Sequence, residues 1–412
     1  MLSENQLELI AEPIYQRLNK INEEYLELIG NKIKEIGELR PTDVHRLQQL
    51  YTSGSNVDDI MTALAKVSEK NISDIQEMFN IVAKENYDYS TPFYATKGLK
   101  QIPYADNITL QRYVKAQAEQ TVNEYLNLAQ HTAFAVFDNE GNIAPFFKEN
   151  VGKVSTSLSE TYTKVMDIAV QQVSLGTDGY QSSMRRVIKA IADSGIQTVD
   201  YATGYHRRLD TAVRQNVLWG IKQTNQGVAD ITGREFGADG YEIDYHSNPR
   251  PTHAAMGGRQ YAIGKARTVK GIYYPSFDEV AGLLQDYGCL HFKFSILLGV
   301  SPPVYSQSEL ERLKSTDNET VEIEGNKYTK YEVSQIQRKL ETAARHAKDR
   351  QIIAKASGDD ELRRQEQEKI NNIVNKYKEL SDKAGLPTKM ERMSVSGYHK
   401  VKTKEEYKYK SS

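Results

Sequence analysis

Apolar residues recur every three or four positions along most of the chain. Near the N-terminus the apolar positions are Leu7, Ile10, Ile14, Leu18, Ile21, Tyr25 and Leu28. This spacing places them on one face of an amphipathic α-helix, which Gly30 and Gly37 are expected to interrupt or end. The same pattern predicts helices in the rest of residues 1–90 and over 108–131, 157–175, 180–194, 206–233 and 332–380, with a break at Gly358.

A different pattern occupies residues 241–300. Apolar and polar residues alternate over 241–245, 260–263 and 292–296, which predicts three short strands. Prolines exclude a regular helix from 247–251. A second alternating stretch over 321–333, with Gly325 at its centre, predicts a hairpin, and residues 302–320 are expected to be a linker.

These elements together predict a mainly α protein with a small α+β module. Four parts are expected along the chain: a helical N-terminal domain over 1–150, a helical region over 151–235 that leads into the core, a compact α+β module over 236–306, and a hairpin, charged helical arm and basic tail over 307–412. At 412 residues the chain exceeds what one hydrophobic core usually serves.

Composition narrows the class of protein further. Charged residues make up 26% and apolar residues 39% of the chain, which is an ordinary globular mixture. No stretch approaches the ~18 apolar residues of a membrane-spanning helix, so no membrane partner is expected. The first residues lack a basic segment followed by an apolar core, so synthesis in the cytosol without a signal peptide is expected. A single cysteine, Cys289, excludes an internal disulfide.

Charge is unevenly distributed although the net charge is only -2. Residues 311–412 carry 23 Lys and Arg against 18 Asp and Glu, and residues 389–412 carry seven against three. The tail is expected to be solvated. A contact between this tail and nucleic acid or an acidic protein stays open as a hypothesis, because basic segments bind phosphate and carboxylate groups.

Candidate chemistry is concentrated in the α+β module. His246, His253, Cys289 and His291 all lie there, and all four residue types are zinc ligands. On a strand, Cys289 and His291 would point to the same face. The spacings match no common zinc-finger pattern, so three interpretations stay open: a zinc site, a hydrogen-bonded polar core, and a metal-dependent hydrolase that keeps one coordination position for water.

The order of several short motifs resembles one family. Tyr201-Ala-Thr-Gly204 is followed by Arg214 in the long helix, then by His246 and by Arg250-Pro251-Thr-His253. Gly257 and Gly258, Tyr274-Pro275, Cys289-Leu-His291 and Gly299-Val-Ser-Pro302 follow in that order. This series resembles the phage minor capsid protein 2 family of tailed bacteriophages and prophages, which is similar to the phage Mu F-like head morphogenesis proteins. The family usually has Arg where this chain has Leu290.

The resemblance implies a structural protein of the virion. It implies a minor capsid protein that acts in head assembly at or near the portal, is made in the host cytoplasm and has the portal protein and other head proteins as partners. It implies no enzymatic activity. The alternatives from the residues alone are a metal-dependent hydrolase using the Cys–His cluster and a DNA-binding virion accessory protein.

Overall fold

The computed structural model describes residues 4–38, 55–130, 132–133, 135–137, 143–144, 154–156, 158–174, 180–194, 196–199, 206–285, 289 and 291–401. Helices account for most of these residues, and short strands form small antiparallel sheets. The predicted fold class, mainly α with a small α+β module, is confirmed. The helices are α1 Glu4–Gly37, α2 Ser55–Tyr89, α3 Thr91–Thr96, α4 Ile108–Gln130, α5 Leu158–Ser174, α6 Tyr180–Ser194, α7 Leu209–Phe236, α8 Ala281–Leu284, α9 Gln307–Asp317, α10 Lys330–Ser357 and α11 Asp360–Ala384.

The described strands are each two to four residues long. They are β1 Thr132–Ala133, β2 Ala135–Phe137, β3 Ile143–Ala144, β4 Val154–Thr156, β5 Gln197–Val199, β6 His206–Arg208, β7 Gly240–Ile243, β8 Gln260–Ala262, β9 Arg267–Val269, β10 Ile272–Tyr274, β11 Lys293–Ile296, β12 Thr320–Ile323 and β13 Asn326–Thr329. Three sheets have three strands, in the orders β1-β5-β6, β3-β2-β4 and β11-β7-β8, while β9–β10 and β12–β13 are hairpins.

The chain divides into two compact units, each built from separate segments. Unit 1 comprises Met1–Pro13, Asn71–Tyr125 and Arg214–Ser334, and unit 2 comprises Ile14–Lys70, Leu126–Val213 and Gln335–Ser412. The four-part division expected along the sequence, 1–150, 151–235, 236–306 and 307–412, stays a prediction.

In unit 1, helix α7 lies very close to α2 and α4. A Cβ on Gly220 would lie 2.1 Å from the Thr121 Oγ1, and one on Gly227 would lie 2.0 Å from the Tyr113 hydroxyl oxygen. Asn86 of α2 also donates a hydrogen bond to the backbone carbonyl of Asn225 in α7, at 2.9 Å. Glycine is needed at these two positions because the neighbouring side chains occupy the space of a Cβ.

The β11-β7-β8 sheet packs on the C-terminal half of the same helix. Ser295 of β11 donates a hydrogen bond to the Ala229 carbonyl at 2.6 Å. Asp230 of α7 accepts a hydrogen bond from the Tyr241 hydroxyl at 2.7 Å and forms an ion pair with Lys293 at 2.8 Å. These contacts fix two strands of the sheet on α7 and thereby position the loops at the strand ends.

Unit 2 is centred on the antiparallel pair α10 and α11. Gly358 has φ +76° and separates the two helices, and Asp359 caps α11 by accepting a hydrogen bond from the Leu362 amide at 3.0 Å. Helix α1 continues through Gly30, where a Cβ would lie 2.5 Å from the Ala356 Cβ. The expected interruption at Gly30 is therefore wrong, because this glycine allows α1 to approach α10 rather than ending α1.

Two further expectations need correction. The predicted linker 302–320 contains helix α9, which Ser306 caps by accepting a hydrogen bond from the Glu309 amide at 3.2 Å. This helix has no buried residues, so it lacks the apolar stripe that identifies a helix in the sequence. The predicted solvated tail is also folded in part, because Met393 is fully buried and packs with Ala344 and Tyr377 of unit 2.

Candidate metal centre

Strand pairing brings the two histidine-bearing segments of unit 1 together. Ile243 of β7 is opposite Lys293 of β11. The pairing continues beyond the strands, since the Asp244 amide donates to the Phe292 carbonyl at 3.1 Å and the Phe292 amide donates to the Asp244 Oδ1 at 2.7 Å. The chain that leaves β7 therefore lies beside the chain that enters β11, with His246 and His291 in these segments.

A series of turns after β7 returns His253 to the same place. The His253 amide donates to the Arg250 carbonyl at 2.8 Å, and the Met256 amide donates to the His253 carbonyl at 3.1 Å. Gly258, with φ +73°, then donates to the Ile243 carbonyl at 2.9 Å and closes the loop onto β7. The prolines at 249 and 251 keep this loop out of a regular helix, as the sequence predicts.

The potential ligand atoms of His253, Cys289 and His291 all lie within 4.8 Å of one another. These side chains are 2, 3 and 4% exposed. The Cys289 Sγ lies 3.7 Å from the His291 Nδ1. Cys289 and His291 precede β11 instead of lying in a strand, yet both are directed into the interior.

His246 is adjacent to this group. Its ring centroid lies 4.8 Å from that of His291, with the two rings nearly perpendicular at 86°. Its Nε2 is 2.9 Å from the Asp244 Oδ2. The structure thus brings all four predicted candidates into one cluster, with His253, Cys289 and His291 as its closest members.

Burial controls the protonation of His291. Burial is the largest effect on its pKa, and the nearby charges of His246, His253 and Lys222 act in the same direction, so the pKa falls to about 3. A neutral imidazole keeps a lone pair that can bind a metal ion. Among the residues that the structure describes, no hydrogen-bond partner lies at the His291 Nε2.

Two neighbours of the cluster are a glycine that belongs to the motif series and a lysine that carries no recognisable signal in the sequence. A Cβ on Gly257 would lie 3.3 Å from the His291 Nε2, so this glycine allows the loop to pack against the ring. Lys222 of α7 is only 2% exposed, donates a hydrogen bond to the Leu284 carbonyl at 2.6 Å and lies 5.0 Å from the Trp219 ring. A single lysine within a helical pattern usually indicates an exposed face, so its burial could not be predicted.

The other motif residues have structural positions around this module. Arg250 supports the turn before His253, and Pro251 is exposed. The Pro275 carbonyl accepts from Ala262, and Gly299, with φ +67°, donates to the Tyr274 hydroxyl oxygen at 3.2 Å. Arg214 lies on α7, while Tyr201 and Gly204 are outside the described residues.

A family model described as phage minor capsid protein 2 matches residues 2–382. This match covers nearly the whole chain and identifies the class of protein as a bacteriophage structural protein that is located in the virion and interacts with other phage head proteins. The chain belongs to the phage minor capsid protein 2 family. No curated protein and no solved structure matches the chain. Within the described residues, no helix combines the length and the apolar character that crossing a bilayer requires.

Proposed function

We propose that this protein acts in the assembly of the phage head at or near the portal, and that it is made in the host cytoplasm before it enters the virion. The family match over residues 2–382 carries this proposal, because it covers unit 1 almost completely and most of unit 2. The position near the portal rests on the resemblance of the motif series to this family, which is itself similar to the Mu F-like head morphogenesis proteins.

The burial of the Cys–His cluster supports a structural role over a hydrolytic one. A catalytic zinc site keeps one coordination position that water and substrate can reach. His253, Cys289 and His291 are each at most 4% exposed, whereas the His246 side chain is 18% exposed, so three of the four candidate ligands have almost no contact with solvent. The hydrolase hypothesis therefore gains no support from the geometry, whereas a role in assembly requires no access to this cluster.

Co-purification with the portal tests the proposal. The untagged full chain is co-expressed with the affinity-tagged portal protein of the same phage, and separately with the tagged major capsid protein. We expect the chain to be retained with the portal, and the retained fraction to keep the helical circular dichroism of the isolated protein. A folded chain that passes through the portal column would contradict the proposed position, and retention only by the major capsid protein would place the chain elsewhere in the head.

A further inference from the structure

The buried cluster of unit 1 has the composition of a metal site. We propose that His253, Cys289 and His291 bind a structural zinc ion, with His246 as the fourth ligand. This inference goes beyond head assembly, because it assigns a cofactor to the module. It is tested on the isolated chain, so its outcome does not depend on binding to the portal.

The distance between Cys289 and His291 matches tetrahedral zinc. Bonds of about 2.3 Å to sulfur and about 2.05 Å to nitrogen place these two ligand atoms about 3.6 Å apart in a tetrahedral site. The Cys289 Sγ and the His291 Nδ1 are 3.7 Å apart, and a ligand atom of His253 completes a group within 4.8 Å. All three atoms therefore have to draw together, from within 4.8 Å to about 3.5 Å of one another, when an ion binds.

The ring nitrogens of His291 have poor hydrogen-bond partners within the described residues. In a purely polar core, buried ring nitrogens are expected to have good partners. One nitrogen of His291 faces only a sulfur atom, which is a weak hydrogen-bond acceptor, and the other has no partner among the described residues. A metal ion bound at the Nδ1 would replace the weak contact with sulfur by a strong interaction that the polar-core interpretation lacks, while the Nε2 would keep its place against Gly257.

His246 has the surroundings of a metal-binding histidine. Histidine ligands commonly donate their second ring N–H to a carboxylate, which fixes the tautomer and the direction of the ring. The His246 Nε2 is 2.9 Å from the Asp244 Oδ2, so a metal ion bound through Nδ1 would keep this contact. The Asp244 Oδ1 accepts from the Phe292 amide at 2.7 Å, which holds the carboxylate between the two paired segments.

The ligand types favour zinc, and the burial favours a structural site. One thiolate with imidazoles suits zinc and copper, whereas calcium and magnesium require oxygen ligands. The ion would join the loop after β7 to the segment before β11 in a region that has little regular secondary structure. Structural zinc sites contribute to folding directly, which suits such a loop-rich module.

Cobalt substitution gives the sharpest test, because Cys289 is the only cysteine of the chain. The untagged full-length protein is stripped of metal with a chelator and titrated with Co²⁺ under reducing conditions. We expect a thiolate-to-cobalt charge-transfer band and the visible absorption of tetrahedral cobalt, both lost on addition of about one equivalent of Zn²⁺ per chain. A folded chain that shows no charge-transfer band overturns the proposal.

Ligand variants are compared with a matched histidine control. Elemental mass spectrometry of the untagged protein is expected to find about one zinc per chain, and Cys289→Ser and His291→Ala are expected to lose it. His399→Ala removes an exposed imidazole and is expected to keep the zinc. Equal zinc content in all three variants overturns the proposal, as does a folded wild-type chain without metal. If a variant fails to fold, the cobalt titration of the wild-type chain still decides.

Asp244→Asn tests the assignment of His246. The asparagine keeps an oxygen that can accept from the Phe292 amide and loses only the carboxylate beside His246. We expect zinc affinity to fall roughly 10- to 100-fold, because second-shell carboxylates have effects of this size. His246→Ala is expected to lower the affinity further. Unchanged zinc affinity in both variants would exclude His246 as the fourth ligand.

Discussion

At the scale of single residues, unit 2 buries a group of mutually paired charges. The Arg208 Nη1 lies 2.6 Å from the Asp349 Oδ2 and its Nε lies 3.4 Å from the Asp210 Oδ1. Arg345 pairs with the other oxygen of Asp210 at 3.2 Å, and Asn22 donates to Asp349 at 3.4 Å. Asp349 is fully buried, so the removal of one charge leaves its partner in a medium that solvates it poorly.

Asp349→Leu is expected to destabilise the protein strongly. Leucine has a similar shape but leaves the guanidinium of Arg208 without its closest carboxylate, which typically costs about 3–5 kcal/mol of unfolding free energy. Denaturant unfolding of the full chain, followed by circular dichroism, measures the change. In Arg208→Met/Asp349→Leu we expect part of the loss to be restored, because no unpaired charge remains.

An exposed ion pair provides the control for this prediction. Lys383 and Glu379 lie on the surface of α11, 2.7 Å apart. Glu379→Gln is expected to leave the unfolding free energy unchanged within error, since exposed pairs are screened by solvent. A loss for Asp349→Leu that is no larger than that of this control would contradict the importance of the buried network.

His346 makes the stability of unit 2 depend on pH. Burial lowers its pKa most, the nearby Arg208, Arg345 and Arg350 lower it further, Asp210 acts in the opposite direction, and the result is a pKa of about 3. An unfolded histidine titrates near 6.5, so between these values the unfolded chain binds more protons than the folded chain. Stability is therefore fully present above about pH 6.5 and is lost as the pH falls towards 3.

The variant His346→Gln isolates this contribution. The maximum slope is about 1.4 kcal/mol per pH unit, and partial exposure of His346 reduces it, so we expect wild type to lose roughly 2 kcal/mol more than the variant between pH 6.5 and 4.5. Urea unfolding of both proteins at several pH values across this range measures the difference. If both proteins lose the same unfolding free energy as the pH falls, His346 is solvated or protonated in the folded state.

At the scale of elements, the close approach of α7 to its neighbours depends on glycine. Gly220→Ala improves helix propensity by about 1 kcal/mol, but the new methyl group would meet the Thr121 Oγ1 at 2.1 Å and the Phe79 Cζ at 2.8 Å. Overpacking of this kind costs about 1–3 kcal/mol. We expect a net loss of up to about 2 kcal/mol in chemical unfolding.

A second helical glycine is the matched control for Gly220→Ala. A Cβ on Gly282 of α8 would have no atom within 4 Å. Gly282→Ala is therefore expected to leave stability unchanged or to raise it by up to about 1 kcal/mol. If both substitutions have the same effect, helix propensity decides the outcome and the packing of α7 does not.

The same elements show which features of the fold the sequence pattern predicts and which it misses. The apolar stripe of α1 and the alternation over β12 predict those elements, because each buries one face of a regular structure. Strand β13 has no buried residue, and the turn at Gly325 predicts it instead. Gly30 has the same local context as a helix terminator, and only its approach to Ala356 explains why α1 continues. Helix α9 is missed because capping by Ser306, and not an apolar face, defines it.

For the candidate site, the sequence predicts which residues take part but not how they come together. The sequence identifies His246, His253, Cys289 and His291 because few residue types bind zinc. Their proximity depends on the register of β7 with β11 and on the turns after β7, neither of which follows from composition. The burial of Lys222 beside the cluster is a tertiary property of α7, since nothing in the residues around it marks that face as internal.

At the scale of the whole molecule, both units are assembled from segments far apart in the chain. An amphipathic stripe shows that a helix buries one face but does not identify the partner of that face. The pattern therefore predicts many helices, whereas their grouping is a property of the folded chain. One consequence is that the C-terminal residues, which have a basic and polar composition, include part of the core of unit 2.

Two truncations test this view of the C-terminus. Residues 389–401 place the fully buried Met393 against Ala344 and Tyr377, and Lys348 donates to the Met393 carbonyl at 2.7 Å. A chain that ends at residue 388 is expected to lose roughly 2–5 kcal/mol, the usual cost of removing a large buried side chain. A chain that ends at Val401 loses none of these contacts and is expected to unfold at the same temperature as the full chain.

The same pair of truncations separates folding from the hypothesis of a DNA contact. Residues 402–412 contain four Lys against two Glu, so a contact with packaged DNA through this segment predicts weaker DNA binding and a smaller salt dependence for the chain that ends at Val401. Thermal unfolding and DNA binding at several salt concentrations are measured on the same samples. The Val401 truncation is expected to stay folded, so any change in its DNA binding reports the loss of residues 402–412 alone. Unchanged DNA binding in this truncation would rule out the segment as the DNA contact.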